Sequence, residues 1–164
     1  LKSYNYGKSS FFSRLFAPKI DKLLFAASKA DHVTPDQHDS LVSLLNQLVH
    51  QNKQALNFEA ITMKTLAIAS VKSTQSGVSK HKGRDIPVIQ GRPLNSSNSN
   101  TVFEQKITVF PGLVPDNLPK DEYWQNHCFN FIDFLPVNDL NKHECLPHVR
   151  MDQVLQFLIA DKMI

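Results

Sequence analysis

Residues 22–31 read Lys-Leu-Leu-Phe-Ala-Ala-Ser-Lys-Ala-Asp, an apolar run that ends abruptly in four residues of a different kind. The apolar part is typical of a strand buried in a parallel sheet, and ligands of open α/β sheets bind where such strands end. A carboxylate at Asp31 can accept hydrogen bonds from both donors on the Watson–Crick edge of guanine, N1–H and the N2 amino group. Adenine lacks the amino group and presents a lone pair at N1. The segment therefore predicts a strand followed by a guanine-reading loop.

Two other residues of this loop have predicted supporting roles. The aliphatic stem of Lys29 can cover one face of a flat base while its ammonium approaches the ribose. The hydroxyl of Ser28 can tie the loop. The four residues Ser-Lys-Ala-Asp could equally be a polar end of the strand with no ligand. The prediction of a guanine-reading loop therefore depends on the surrounding sequence.

A helix and a second strand follow the loop. Thr34-Pro35-Asp36-Gln37 predicts a helix start with an N-cap, a proline in the first turn and a capping-box glutamine. Apolar residues then recur with helical spacing at Leu41, Leu44, Leu45, Leu48 and Val49. Residues 61–72 form a second β-rich run that ends in Ser70, Val71 and Lys72. We expect this second turn to lie beside the first, with its backbone N–H groups directed at guanine O6 and Lys72 as a second lid on the base.

The remaining sequence is polar and irregular, with short β candidates at 86–90, 101–110 and 128–136 and loop-like stretches at 73–85 and 94–100. A closing helix carries an apolar stripe of Met151, Val154, Leu155, Leu158 and Ile159. These patterns predict three regions: a nucleotide-binding core over 1–75, an antiparallel β excursion over 76–145, and a C-terminal helix over 146–164 that packs back on the core.

Composition limits the classes of function. The 164 residues are 41% apolar and 20% charged, as in an ordinary globular domain. A net charge of +3 is too small to predict a nucleic-acid partner, and no apolar run approaches the ~20 residues of a membrane-spanning helix. Cys128 and Cys145 fit a reducing cytoplasm, and with the neighbouring histidines they lack the spacing of a zinc site. No metal ligands are predicted.

Two longer segments carry a resemblance to a known family. Residues 15–38, Leu-Phe-Ala-Pro-Lys-Ile-Asp-Lys-Leu-Leu-Phe-Ala-Ala-Ser-Lys-Ala-Asp-His-Val-Thr-Pro-Asp-Gln-His, and residues 146–152, Leu-Pro-His-Val-Arg-Met-Asp, resemble the YcjX-like family of bacterial stress-associated P-loop proteins. The resemblance implies the α/β fold of a Ras-like P-loop NTPase with a three-layer core. Family members are considerably longer, so the chain is expected to be the C-terminal part of such a protein.

The resemblance also implies an activity, hydrolysis of GTP to GDP as a stress-related switch, with Mg²⁺ as cofactor. The chain contains no G-x-x-x-x-G-K-[ST] phosphate loop. Tyr6-Gly7-Lys8-Ser9-Ser10 ends like one, but Lys2 stands where its first glycine is required and no strand precedes it. The catalytic residues and the Mg²⁺ ligands are therefore expected before Leu1, and the fragment alone is expected to be inactive.

The partners expected from the resemblance are a guanine nucleotide, the missing N-terminal part of the same protein and a membrane protein. The expected location is the cytoplasm, with the periphery of the inner membrane as the alternative. Two other functions stay open at this point: a P-loop ATPase without guanine specificity, and a non-catalytic protein-interaction module.

Overall fold

The computed structural model describes residues 20–57, 61–94, 105–126, 132–137 and 144–163. In chain order its elements are β1 (Lys22–Ala27), α1 (His38–Asn57), β2 (Thr62–Ala67), β3 (Thr74–His81), β4 (Arg84–Gly91), β5 (Ile107–Val109), α2 (Asp121–Asn126) and α3 (Met151–Ile159), with 3-10 turns at Ala30–His32, Pro35–Gln37 and Ala160–Lys162. The predictions made for Tyr6–Ser10, His127, Cys128 and His143 lie outside the described residues.

A parallel β-α-β unit begins the described chain. β1 and β2 pair in parallel, with Lys22 opposite Thr62 and Ala27 opposite Ala67. Parallel neighbours need a crossover connection, which α1 supplies. The strand, helix and strand predicted from the apolar patterns are confirmed.

Helices cover both faces of this two-stranded sheet. The hydroxyl of Thr65 in β2 donates to Asn46 Oδ1 of α1 at 2.8 Å. The ammonium of the preceding residue, Lys64, lies 5.9 Å from the centroid of the Phe157 ring in α3. Because successive side chains of a strand point to opposite faces, α1 and α3 lie on opposite sides of the sheet.

The start of α1 differs from the prediction. Pro35–Gln37 forms a 3-10 turn first, and the α-helix begins at His38. Thr34 caps no backbone amide with its side chain; its hydroxyl instead accepts a hydrogen bond from Gln37 Nε2 at 2.8 Å. The prediction of a capping box is therefore wrong. The side chain of Gln37 bonds to Gly112 and Val114 instead of to the Thr34 backbone amide.

A second correction concerns the stretch predicted as a loop over residues 73–85. It belongs to an antiparallel hairpin in which β3 pairs with β4, and β5 continues the sheet on the other side of β4. Lys82 and Gly83 connect β3 to β4, both with positive φ, 49° and 76°. Two consecutive positive φ values are those of a type I′ turn, whose twist matches that of the flanking strands. The β candidates over 86–90 and 101–110 fall on β4 and β5.

Residues 132–137, here called the strap, lie against the end of β4. The strap makes an antiparallel bridge between Phe134 and Pro93, and its Leu135 amide donates to the Arg92 carbonyl at 2.8 Å. Phe134 is buried over Gly91, where an added Cβ would come within 2.6 Å of Phe134 Cδ1. A residue without a side chain is thus required at 91 for this close approach.

The closing helix packs less completely than its apolar stripe predicted. Val154 is buried, whereas Leu155 and Ile159 are 54% and 40% exposed. The stripe is therefore only partly a core face. Among the described helices, none has the length and apolar character needed to cross a membrane.

Candidate nucleotide-binding site

The two loops predicted to read a base are joined directly beyond the ends of their strands. The amide of Ile68 donates to the Ala27 carbonyl at 2.8 Å, and the amide of Ala30 donates to the Ile68 carbonyl at 2.9 Å. These bonds extend the parallel pairing past β1 and β2. The first loop and the second loop therefore lie side by side at the carboxyl edge of the sheet, where ligands bind in α/β folds.

Asp31 is the most firmly held residue of the first loop. Its side chain is buried, and its Oδ2 accepts hydrogen bonds from the Ser73 amide at 2.7 Å and the Ser73 hydroxyl at 2.9 Å. The hydroxyl of Thr74 donates to the Asp31 carbonyl oxygen. A buried carboxylate is costly unless such donors satisfy it. Among the described residues nothing donates to Oδ1, which leaves that oxygen able to accept from a ligand.

His32 extends this arrangement by one link. Its Nε2 lies 3.2 Å from Ser73 Oγ. Because the Ser73 hydroxyl hydrogen is directed at a carboxylate, Ser73 Oγ can only accept from the imidazole. Nε2 therefore carries a hydrogen, and a chain of donors runs from His32 through Ser73 to Asp31.

Lys29 occupies an unusual backbone conformation. Its φ is 58° and its ψ 35°, in the left-handed region that residues other than glycine seldom adopt. Backbone conformations of this kind persist where the surroundings impose them, often at functional sites. The Lys29 ammonium lies 3.2 Å from Asp133 Oδ1 of the strap, and both side chains are largely exposed. The long Lys29 side chain is thus directed across the loop toward the strap.

The second loop is held at both ends, which leaves two amides in its middle. Ala69 exchanges both backbone hydrogen bonds with Val149, and the Lys72 amide donates to the Pro147 carbonyl at 2.7 Å. The amides of Ser70 and Val71 donate to nothing among the described residues. Those two N–H groups can therefore serve an acceptor such as a carbonyl oxygen of a base.

A cavity of about 360 Å³ lies between the loops and the strap. Its lining comes from both loops, the strap and the start of α3: Ser28, Lys29, Asp31, His32, Ile68, Ala69, Ser70, Val71, Ser73, Asp133, Phe134, Pro136 and Met151. Small-molecule sites are typically about 300–1,000 Å³, so the cavity is large enough for part of a nucleotide. Another cavity, of about 590 Å³, is lined by α1 alone and lies on the helix surface away from the strand ends.

Five of the six predicted site residues line the smaller cavity. Lys72 does not line it, and its amide is already bonded to Pro147. Ser28 lines the cavity but makes no side-chain hydrogen bond among the described residues. The loop is braced by Ser73 instead, because Ser73 can reach the carboxylate of Asp31 with both its amide and its hydroxyl.

His38 supports the first loop from behind. It is buried, and its Nε2 lies 2.8 Å from the Ala30 carbonyl oxygen, so this nitrogen carries the hydrogen. Burial, together with the positive charge of Arg150, lowers the pKa of His38 below its ordinary value of 6.5, although the bond to Ala30 acts in the opposite direction. The imidazole is therefore neutral near pH 7 and acts as a fixed donor.

Sequence reasoning missed three contributors to the cavity: Ser73, His32 and the strap. Ser73 and His32 each directly follow a predicted site residue, so their proximity to the motif was a usable signal. The strap gave no comparable signal, because Asp133 lies 104 residues from its partner Lys29. Cys145 and His148 are the described members of the cysteines and histidines considered as zinc ligands, and neither lies in a group of three metal-binding side chains within the described part of the chain.

The chain is similar to a known family and to curated proteins. The model of the YcjX-like family, DUF463, matches residues 1–163. The Ras-like GTPase YcjX of Escherichia coli (strain K12) is 46% identical over 164 residues, and the protein of the same name from Shewanella oneidensis (strain MR-1) is 40% identical over 166 residues. Each alignment covers 99% of this chain and 33% of the relative.

The chain thus spans about a third of the length of the curated relatives that it matches. The match of the family model over nearly the whole chain confirms the resemblance seen in the sequence. The chain belongs to the YcjX-like family.

Proposed function

We propose that the cavity between the two loops binds the guanine base of GDP and GTP, and that the protein carrying this chain is a Ras-like P-loop GTPase with a three-layer core. The observation that carries the proposal is the buried Asp31, whose Oδ2 is fixed by Ser73 while its Oδ1 has no donor among the described residues. Both relatives carry the name Ras-like GTPase, which supports the proposal.

Reading of the base follows from the hydrogen-bond capacity of Asp31. A carboxylate offers about four lone-pair positions, and Ser73 uses two of them on Oδ2. Guanine brings two further donors, N1–H and the N2 amino group, which Asp31 can accept through the two remaining positions, both on Oδ1. Adenine would place a lone pair against the same oxygen. A site built for such donors rejects an analogue without them by about 10⁴-fold.

The other edge of guanine would meet the second loop. Its O6 needs donors, and within the second loop the Ser70 and Val71 amides donate to no described residue. Lys29 would lie across one face of the base. In this assignment Ser28 lines the cavity without a hydrogen bond of its own, and Lys72 holds the second loop through its backbone rather than covering the base.

Hydrolysis is assigned to the complete gene product. GTPases bridge the β and γ phosphates with Mg²⁺ and orient a water for in-line attack. The described residues contain no group of three His, Cys, Asp or Glu side chains that could hold a metal, so no step of the reaction is assigned to them. The role of this chain is to select and orient the nucleotide. We also propose, from family resemblance, a stress-related switch that acts in the cytoplasm or at the inner membrane surface with a membrane-protein partner.

The test is nucleotide binding by the complete gene product, measured by calorimetry with GDP, ADP and XDP, before and after Asp31→Asn. XDP carries a carbonyl oxygen in place of the N2 amino group. We expect the unaltered protein to prefer GDP and the variant to shift toward XDP, because the asparagine amide can donate to that oxygen. The asparagine oxygen can still accept from Ser73, so the loop should persist.

Any of three results would contradict the proposal. Equal binding of ADP and GDP would favour an ATPase without base specificity. A preference for GDP that survives Asp31→Asn would show that another group reads the base. Absence of any nucleotide binding would favour a protein-interaction module.

A further inference from the structure

The strap contacts the base loop at two separate residues. Asp133 forms the ion pair with Lys29, and the ring of Phe134 meets the ring of His32 edge-on, with 5.6 Å between centroids and 68° between planes. Lys29 and His32 flank Asp31 in the sequence. The residue two positions before the proposed base-reading carboxylate and the residue directly after it are therefore both in contact with one short segment that the motif does not contain.

The strap is itself fixed by backbone hydrogen bonds on either side of Phe134. The Leu94 amide donates to the Asp133 carbonyl at 2.7 Å, and the Val137 amide donates to the Lys72 carbonyl at 3.2 Å. Phe134 is buried against Gly91. These bonds join the strap to β4 and to the second loop at once, so it can act as a wall whose position is set by the fold.

The Lys29–Asp133 ion pair has little to contribute to folding. The Lys29 and Asp133 side chains are 67% and 72% exposed, and exposed pairs of this kind contribute little net stability. The pair does restrict a long and flexible side chain, however. Because the Lys29 ammonium is held at the strap, its aliphatic stem is held across the cavity.

We infer that the strap is the third wall of the nucleotide cavity, with Asp133 and Phe134 as positioning residues for the guanine nucleotide. Asp133 holds Lys29 over the base. Phe134 holds the ring of His32, which donates to Ser73 behind Asp31. The inference rests on the proposed function, since it assigns a role in the same cavity to residues outside both loops.

The two contacts have separable consequences. Loss of the Asp133 contact frees a side chain that covers the base without reading it, so bound nucleotides should leave faster whatever their base. Loss of the His32 contact weakens the support of Asp31, so discrimination between bases should fall.

The first experiment measures dissociation of a fluorescent GDP analogue from the complete gene product. Asp133→Asn should accelerate dissociation about three- to fivefold, the range expected for loss of one exposed ion pair. Asp161→Asn is the matched control, because Asp161 is also an exposed carboxylate paired with a lysine, Lys22, but does not line the cavity. In a Lys29→Met background, Asp133→Asn should cause no further acceleration.

Equal rates for Asp133→Asn and Asp161→Asn would overturn the inference and leave the proposed function intact. So would an acceleration by Asp133→Asn that persists without Lys29, because Asp133 would then act by another route. If the unaltered protein binds no guanine nucleotide while folded, the proposed function and the inference both fail.

The second experiment compares GDP with XDP for His32→Leu and His32→Gln. The leucine cannot donate to Ser73, and we expect the preference for GDP to fall about tenfold, as for loss of one hydrogen bond that orders a site. The glutamine retains an N–H donor and should restore most of the preference. An equal loss in both variants, or an unchanged preference in His32→Leu, would remove His32 from the support of Asp31.

Discussion

The parallel unit over residues 20–72 and the antiparallel region over the described parts of 74–137 are held together in different ways. Within the parallel unit, strand pairing and a helix on each face place the two loops. The antiparallel region joins that unit largely through polar contacts, such as Thr74 with Asp31 and Gln37 with Gly112 and Val114. The first region therefore places the proposed base-reading groups, and the second completes the cavity around them.

A second group of polar contacts runs along the outer part of α1. The hydroxyls of Ser40 and Ser43 donate to the side chain and the carbonyl of Asp116, and Gln47 bonds to the carbonyl of Asp116 and the amide of Leu118. These atoms are exposed, whereas those of Gln37 are buried or half-buried. The two groups therefore allow buried and exposed attachments of the same segment to be compared.

The largest effect is expected where the strap meets β4. Gly91→Ala would place a Cβ 2.6 Å from Phe134 Cδ1 and 2.9 Å from the Ser73 carbonyl oxygen. Overpacking of this kind should lower the free energy of unfolding by about 2–3 kcal/mol. Urea denaturation measures it, with Gly77→Ala as the control.

Gly77 lies in β3, where an added Cβ would meet nothing nearer than 3.6 Å. Its replacement should be neutral or stabilise by about 0.5 kcal/mol, since alanine loses less conformational entropy on folding. Equal effects of the two substitutions would mean that the strap does not depend on close approach to β4.

A smaller loss is expected at the buried attachment to α1. Gln37→Ala removes the acceptor of the Val114 amide and the donor to the Gly112 carbonyl, which should cost about 1–3 kcal/mol. Gln47→Ala at the exposed attachment should cost less than about 1 kcal/mol, because water replaces its partners. Urea denaturation of both variants measures the two losses in free energy of unfolding. A larger loss for Gln47→Ala would show that the exposed attachment contributes more to stability than the buried one.

The contrast between apolar packing in the parallel unit and single polar contacts elsewhere explains which features could be predicted from the sequence. Apolar periodicity revealed β1, α1, β2 and α3, because burial of one face imposes a repeat. Asp31 and the second loop could be placed from their positions after two strands. The bond from Ser73 to Asp31 and the pairing of Asp133 with Lys29 join residues 42 and 104 apart, and single polar contacts leave no repeat in the sequence. The first strand of the hairpin, β3, was missed because most of its residues are polar and exposed, although Lys82-Gly83 is a turn signal.

A pH-dependent loss of stability is expected within the parallel unit. Burial lowers the pKa of His38 below 6.5 in the folded protein, whereas the unfolded chain keeps the ordinary value. As the pH falls below about 6.5, the unfolded state therefore takes up the proton first, and stability decreases until the folded pKa is passed. The nearby charges of Arg150, Asp39 and Asp36 modulate this effect.

Thermal unfolding between pH 7.5 and 5 measures this effect against His38→Gln, which keeps an N–H donor and does not titrate. The unaltered protein should lose more stability on acidification than the variant does. Parallel pH profiles would show that His38 is not held neutral behind the loop.

The smallest effect is expected at the tip of the hairpin. Lys82 has a φ of 49°, and asparagine adopts this conformation at lower cost than lysine. Lys82→Asn should stabilise the protein by about 0.5 kcal/mol and leave nucleotide dissociation unchanged, as measured by thermal unfolding and stopped-flow fluorescence. A change in dissociation would show that the hairpin tip acts on the cavity.

The backbone hydrogen bonds that join the two loops bear on when the site becomes ordered as well as on where its loops lie. The amides of Ala30 and Ile68 are bonded to carbonyls of the protein itself, without help from a ligand. In hydrogen–deuterium exchange these two amides should be slow in the empty protein, while those of Ser70 and Val71 exchange rapidly until a base arrives. The frame of the site would thus be rigid before binding, and only its contact surface would register the nucleotide.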